Sequence, residues 1–282
     1  MREIKDPREM FLYAQRARSH GKKIGLVPTM GALHEGHLSL VAEARRKADV
    51  VVVSIFVNPI QFGPKEDFAR YPRDIRRDRK LLGNFEVDVL FVPEADEMFL
   101  RGFKTHVEVE GFLEKMCGKS RPGHFRGVAT VVAKLFNIVC PDLAFFGEKD
   151  YQQLVIIRQM ARDLNFPAEI ISLPTVREFD GLAMSSRNAG LSPKERKSAP
   201  ILYKALCLAK ERIEKGERDP RKILLRMRSL IAGERKVRLD YVAIVDPVTL
   251  EAVKKVKGRA WVALAAYLGK TRLIDNMIVE AG

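Results

Sequence analysis

The stretch that most restricts the fold is DVVVVSIFVNP, residues 49–59, in which four valines run together. Branching at Cβ suits extended backbone and disfavours a helix, so this run reads as a β-strand. A shorter apolar run over Lys22–Thr29 reads as a buried strand, and GHLSLVAEARRKA (36–48) between them has helical spacing. A strand, a crossover helix and a strand of these lengths imply a parallel pair with a right-handed connection.

The alternation continues along the chain. VDVLFVP (87–93), DLAFFG (142–147) and AEIISLPTV (168–176) read as strands, while GVATVVAKLFNIV (127–139) and DYQQLVIIRQMARDL (150–164) read as helices. The expected fold class is α/β, a Rossmann-like doubly wound parallel sheet over residues 1–176. After the loop REFDGLAMSSRNAGLSP (177–193) the texture changes. Two charged helices, Pro193–Lys215 and Pro220–Gly233, precede the strand-like runs LDYVAIVD, RAWVALAAYLG and TRLIDNMIVE. Residues 177–282 are expected to form a smaller α+β domain acting as a lid, with the joining loop as cleft wall and hinge.

With 46% hydrophobic and 30% charged residues, the chain is far from disordered or collagenous classes. Its longest apolar stretches, Val50–Val57 and Ala260–Leu268, fall short of the roughly 20 residues needed to cross a bilayer. The start, MREIKDPREM, has no apolar signal core, so a cytoplasmic protein with no membrane partner is expected. Cys117, Cys140 and Cys207 are far apart with no CxxC pair, which suits buried free thiols. A net charge of +14 raises the question of nucleic acid. The densest basic run, RYPRDIRRDRKLL (70–82), is interrupted by Asp74 and Asp78 and spaced like the solvated face of a helix. No nucleic-acid partner is therefore expected, and the excess charge suits anionic substrates.

In an open parallel sheet, ligands bind beyond the carboxyl ends of the strands. Four segments fall there: TMGALHEGH, NPIQF with Asn58 and Gln61, GEKDYQQ with Lys149, Asp150 and Gln153, and MSSRN with Ser185, Ser186 and Arg187. His34 and His37 share one face of a helix entry, and Gly36 between them allows close backbone approach. A helix N-terminus adds unpaired N–H groups and a positive dipole end, so the segment suits an anion. The competing interpretation is a pair of satisfied structural histidines. A zinc site is disfavoured, because the spacing is not i,i+4 and His20, His106 and His124 form no cluster with ligand spacing. In SRPGHFRG (120–127), Pro122 and Gly123 mark a turn, Arg126 opens a helix, and His124 has no role beyond shaping the cleft wall.

His34-x-Gly36-His37 after a strand resembles the HIGH motif of the nucleotidyltransferases, and MSSR resembles their second phosphate-binding loop. Taken with VPTMGALHEGHLSLV, VSIFVNPIQFGPKEDFARYPR, PDLAFFGEKDYQQL and PTVREFDGLAMSSRN, the first domain is similar throughout to the pantoate–β-alanine ligase family. That resemblance implies adenylation of pantoate by ATP, then attack by β-alanine with release of AMP. It puts ATP along Met30, Gly31, Ala32, Leu33, His34, Glu35, Gly36 and His37, with both histidines at the phosphates. It assigns the ribose to Gly147 and Asp150 and the phosphates to Lys149, with Glu148 in the same segment. Val176 and Met184 would line the adenine, and Ser185, Ser186 and Arg187 would close over the triphosphate. Gln61 and Gln153, with Asn58 behind them, would bind pantoate, and Gln61 would also face β-alanine. The catalytic set is then His34, His37, Lys149, Ser185, Ser186 and Arg187. Mg²⁺ is implied as the phosphate counter-ion, with Asp78 the one carboxylate expected near it, and a homodimer formed through the first domain is implied as well.

Two alternatives stay open on the residues alone. One is a nucleotidyltransferase that makes a dinucleotide; the other is a nucleic-acid-binding module with steeply salt-dependent affinity.

Overall fold

The computed structural model describes residues 1–64 and 66–282. Two compact units emerge. The first comprises Met1–Glu114, Gly118–Glu148 and Gln153–Pro174; the second comprises Lys115–Cys117, Lys149–Gln152 and Thr175–Gly282. Two short pieces that precede Thr175, one of them carrying Lys149 and Asp150, thus group with the second unit.

The first unit is built on six strands: β1 (Arg2–Ile4), β2 (Ile24–Thr29), β3 (Val50–Ile55), β4 (Val89–Phe91), β5 (Leu143–Gly147) and β6 (Glu169–Leu173). They lie in the order β1-β4-β3-β2-β5-β6, and every pairing is parallel. The register runs Ile24↔Val50 to Thr29↔Ile55 between β2 and β3, and Gly25↔Leu143 between β2 and β5. The chain leaves β2 toward β3 on one side and returns to β5 on the other. The carboxyl end of β2 is therefore the switch point where such sheets open a crevice.

All six residues of β3 are buried, as expected of a central parallel strand covered on both faces. Helix α2 (Glu35–Lys47) presents Leu38, Val41 and Ala44 to Val27, Val51, Val53 and Phe145. At the opposite rim, carboxylates satisfy the first strand amides: Asp142 accepts from Ile24 N at 2.8 Å, and Asp88 accepts from Val51 N at 2.8 Å. The amino ends of the strands are thus closed by local hydrogen bonds, and the chemistry is left to the other rim.

The remaining helices are α1 (Pro7–Ser19), α3 (Ile75–Leu82), α4 (Ala95–Met98), α5 (Met116–Ser120), α6 (His124–Val139) and α7 (Tyr151–Asp163). Helix α3 begins at Ile75, directly after YPRD, with the Asp74 carboxylate accepting from Arg77 N at 3.0 Å. Helix α6 starts three residues earlier than expected, at His124.

The second unit contains an antiparallel sheet of β7 (Val237–Val245), β8 (Gly258–Leu268) and β9 (Thr271–Ala281), in that order. The single helix expected over Pro193–Lys215 is two, α8 (Pro193–Ser198) and α9 (Ile201–Glu214), broken where Pro200 offers no N–H. With α10 (Pro220–Ala232), they bury Leu202, Leu206, Ile213, Ile223, Met227 and Ile231 in one core with Val262 and Leu264. Their spacing of four or seven residues is one helical stripe in each of α9 and α10.

The three cysteines are free. Only Cys117 is buried, whereas Cys140 and Cys207 are half-buried, so the expectation of three buried thiols holds for one. No helix among the described residues is long and apolar enough to cross a membrane.

Candidate active site

The loop leaving β2 is fixed before it reaches the histidines. Thr29 Oγ1 donates to Ser54 O at 2.8 Å and accepts from Gly31 N at 3.1 Å, tying the strand ends together. Gly31 (φ +80°) and Ala32 (φ +49°) then turn the chain through the left-handed region. The turn exposes two successive amides, and one carboxylate takes both. Asp78 Oδ2 accepts from Ala32 N and Oδ1 from Leu33 N, each at 2.8 Å, while the side chain is 1% exposed. Leu33 is fully buried and closes the loop against the core.

The next residue, His34, is the N-cap of α2, and its Nδ1 accepts from Gly36 N at 3.2 Å. An accepting Nδ1 leaves the proton of a neutral ring on Nε2, which is then a donor. The His37 ring lies 4.1 Å from it, centroid to centroid, tilted by 38°. Two imidazoles therefore stand at the positive end of a thirteen-residue helix, at the carboxyl rim of the central strand. This arrangement can bind an anion and donate to charge developing on it.

After β3, Asn58 caps a 3₁₀ turn at Pro59–Gln61 and accepts from Ile60 N at 3.3 Å. Its Nδ2 donates to Gln61 Oε1 at 2.9 Å and to Gly127 O at 3.1 Å. Asn58 is 1% exposed with both donor directions occupied, so it braces the Gln61 side chain. Gln61, 7% exposed, points Nε2 at Met30 Sδ, 3.1 Å away. The structure thus brings Gln61 to the loop that carries His34 and His37. Gln153 lies half-buried in the first turn of α7.

Gly147 ends β5 opposite Leu173, and Glu148 accepts from Ser172 Oγ at 3.0 Å. In the second unit, the Lys149 carbonyl accepts from Asn276 Nδ2 at 2.7 Å, and Lys149 Nζ lies 3.7 Å from Asp150 Oδ1. Beside Asn276, the buried Asp275 receives both Arg177 nitrogens, at 2.7 and 2.9 Å. Burial pushes its carboxyl above the ordinary range even though Arg177 pulls the other way.

Arg177 opens a hairpin closed by Met184 N to Val176 O at 3.0 Å, which places the two expected adenine-lining residues side by side. The MSSRN segment that follows is a 3₁₀ turn, Ser186–Gly190, capped by Ser185 Oγ accepting from Arg187 N at 3.3 Å. Asn188 anchors the turn to Glu178 at 2.8 Å and to Ala183 O at 3.1 Å. Arg196 in turn bridges Glu178 and Asp180. Ser185 keeps its own O–H to donate.

Asp78, the carboxylate expected near the metal, is bonded to the loop leaving β2. Each oxygen of Asp78 already holds a loop amide, and the described residues contain no group of three or more His, Cys, Asp or Glu that could hold an ion. The carboxylate's position in the chain shows its charge, but its partners lie 45 and 46 residues away. Its bracing role was therefore hidden in the sequence.

Comparison with known proteins agrees with this geometry. Residues 2–278 match the family described as Pantoate-beta-alanine ligase. The chain is 57% identical over 268 residues to a pantothenate synthetase of Moorella thermoacetica, covering 95% of each chain. It superposes on the crystal structure of pantothenate synthetase from Thermus thermophilus with a TM-score of 0.94 and 48% identity, covering 98% of this chain and 99% of that one. A pantoate-beta-alanine ligase from Francisella tularensis, complexed with beta-gamma ATP and beta-alanine, superposes with a TM-score of 0.81 and 35% identity, covering 99% and 97%. With a family match spanning nearly the whole chain, the chain belongs to the pantoate–β-alanine ligase family.

Proposed function

We propose that the chain condenses pantoate with β-alanine to pantothenate by way of pantoyl adenylate, using ATP as the activating substrate. A carboxylate is a poor acylating agent, and adenylation supplies a leaving group. In the first step a pantoate carboxylate oxygen attacks the α-phosphorus of ATP, the bond from that phosphorus to the bridging oxygen breaks, and pyrophosphate departs with the electron pair. In the second step the amine of β-alanine attacks the acyl carbon, the acyl–oxygen bond breaks, and AMP leaves as the nitrogen loses a proton. Neither step needs a covalent bond to the protein, so catalysis is positioning and charge stabilisation.

The observation that carries this reading is the pair of rings 4.1 Å apart at the N-terminus of α2. His34 Nε2–H, His37 and the helix amides are assigned to the phosphates of ATP along Met30–His37. Gln61 and Gln153 are assigned to pantoate, whose hydroxyls and carboxylate suit amides that both donate and accept, and Gln61 is also assigned to β-alanine. Gly147, Glu148 and Asp150 are assigned to the ribose end, Val176 and Met184 to the adenine, and Lys149, Ser185, Ser186 and Arg187 to the phosphates. Mg²⁺ would enter as a complex of ATP, neutralising phosphate charge; the described residues form no cage for it, and no step is routed through it. A cytoplasmic homodimer remains part of the proposal on the family resemblance.

The experiment is isotopic. Pantoate labelled with ¹⁸O in its carboxylate should pass one labelled oxygen to AMP, because the bond that breaks in the second step joins acyl carbon to that oxygen. Unlabelled AMP would exclude the acyl adenylate.

A further inference from the structure

SRPGHFRG lies outside the substrate contacts assigned above, yet it holds the turn that carries Gln61. His124 Nε2 is 2.8 Å from an Arg121 guanidinium nitrogen, and Nδ1 is 2.9 Å from Gln61 O. A guanidinium only donates, so Nε2 is the acceptor and the ring proton sits on Nδ1, which donates to the Gln61 carbonyl. Arg121 is itself fixed, since Nε and Nη2 meet the two Glu66 oxygens at 2.7 and 2.6 Å, with the two side chains 15% and 23% exposed. Such a two-pronged pair sets the direction of the remaining guanidinium nitrogen.

Three residues along α6 the contact becomes backbone on backbone. A Cβ on Gly127 would lie 2.4 Å from Ile60 O and 2.7 Å from Gln61 N and Cα, so only glycine lets the helix seat this turn. Asn58 Nδ2 donates to the Gly127 carbonyl from the other side. The Gln61 backbone is therefore held by the His124 ring and by the close approach of Gly127, while the Asn58 amide donates to the Gln61 side-chain oxygen and to the Gly127 carbonyl.

We propose that His124 is a positioning residue for the first chemical step: held neutral and oriented by Arg121 and Glu66, it fixes the Gln61 carbonyl and thereby aims the Gln61 side-chain amide at pantoate. The inference rests on the reading of Gln61 as a pantoate contact. Small displacements of a bound group lose alignment with the reacting atom, so the ring's effect falls on pantoate and not on ATP.

The test is steady-state kinetics with pantoate and ATP varied separately, for wild type, Q61A, H124A, H124N, H124F and the double variant Q61A/H124A. H124A is expected to raise KM for pantoate about 10-fold and to leave KM for ATP within about 2-fold. H124N, whose amide can donate to the Gln61 carbonyl, should recover most of the loss. H124F keeps the ring volume without the N–H and should match H124A, which covers the case of an alanine variant that does not fold. In the double variant the loss should equal that of Q61A alone, because His124 acts through Gln61. If Q61A raises KM for pantoate while H124A and H124F do not, the inference is overturned and the reading of Gln61 stands. Losses that multiply in the double variant overturn it too. If Q61A leaves KM for pantoate unchanged, the reading of Gln61 fails and takes this inference with it.

Discussion

Asp78 on α3 accepts the backbone N–H of Leu33 at 2.8 Å, across 45 residues of chain, immediately before the His34 cap of α2. Its other oxygen holds Ala32 N, which makes the loop a product of the carboxylate. Asp78→Asn should leave one buried N–H facing an amide donor, at a cost of about 1–3 kcal/mol. Thermal unfolding should show a lower Tm, and adenylate formation should fall with it. An unchanged Tm would mean the loop holds itself.

His34 caps α2 through Nδ1, and the proposed function asks it to donate through Nε2–H as well. Asparagine is a good N-cap but lacks the second donor. His34→Asn should therefore keep Tm near wild type and lose activity, whereas His34→Ala should also lose about 1 kcal/mol of stability. Full activity in the asparagine variant would show that the cap alone matters.

On the proposed mechanism, His37→Ala removes a donor to the charge that develops on the phosphates. Pantoyl adenylate formation should fall by about 10²-fold or more with the circular dichroism spectrum unchanged. Activity within a few-fold of wild type would remove His37 from the mechanism.

Gln61→Ala should weaken pantoate far more than ATP, because a site built to bond hydroxyls and a carboxylate is left with unpaired polar groups. Equal losses for the two ligands would contradict the assignment.

Burial pushes the Glu66 carboxyl up, but its hydrogen bonds to Arg121 outweigh that and hold it below the ordinary value of 4.5. A carboxylate depressed in the folded state contributes stability that is present above its unfolded value and lost as pH falls through its folded value. Denaturation of the wild type should accordingly steepen below about pH 4.5. Glu66→Gln should flatten that limb in urea titrations at pH 3–5, and an identical slope would mean the pair contributes nothing to acid stability.

The fold was legible where hydrophobic pattern and length agree. The run Val50–Val53 could only be a strand, and α2 between two such runs announced the parallel pair. Strand β1 was hidden because three residues carry no periodicity, and α1 because only Met10 and Ala14 of its thirteen residues are buried. Pro200 breaks a helix that polar spacing alone runs together. At the site, His34, His37 and Gln61 were visible because they follow strands. The duties of Asp78 and His124 were not, because their partners lie 45 and 63 residues distant and only the folded topology makes them neighbours. Nothing in NPIQF reveals that the Gly127 carbonyl takes the Asn58 amide.

The most direct test of the two-step account is ATP–pyrophosphate exchange with pantoate as the sole added acid, before any β-alanine is present. The account requires labelled pyrophosphate to enter ATP with pantoate alone, and AMP and pantothenate to accumulate once β-alanine is added. Exchange that appears only when both substrates are present would contradict a free-standing adenylation step and, with it, the assignment of His34 and His37 to the phosphates.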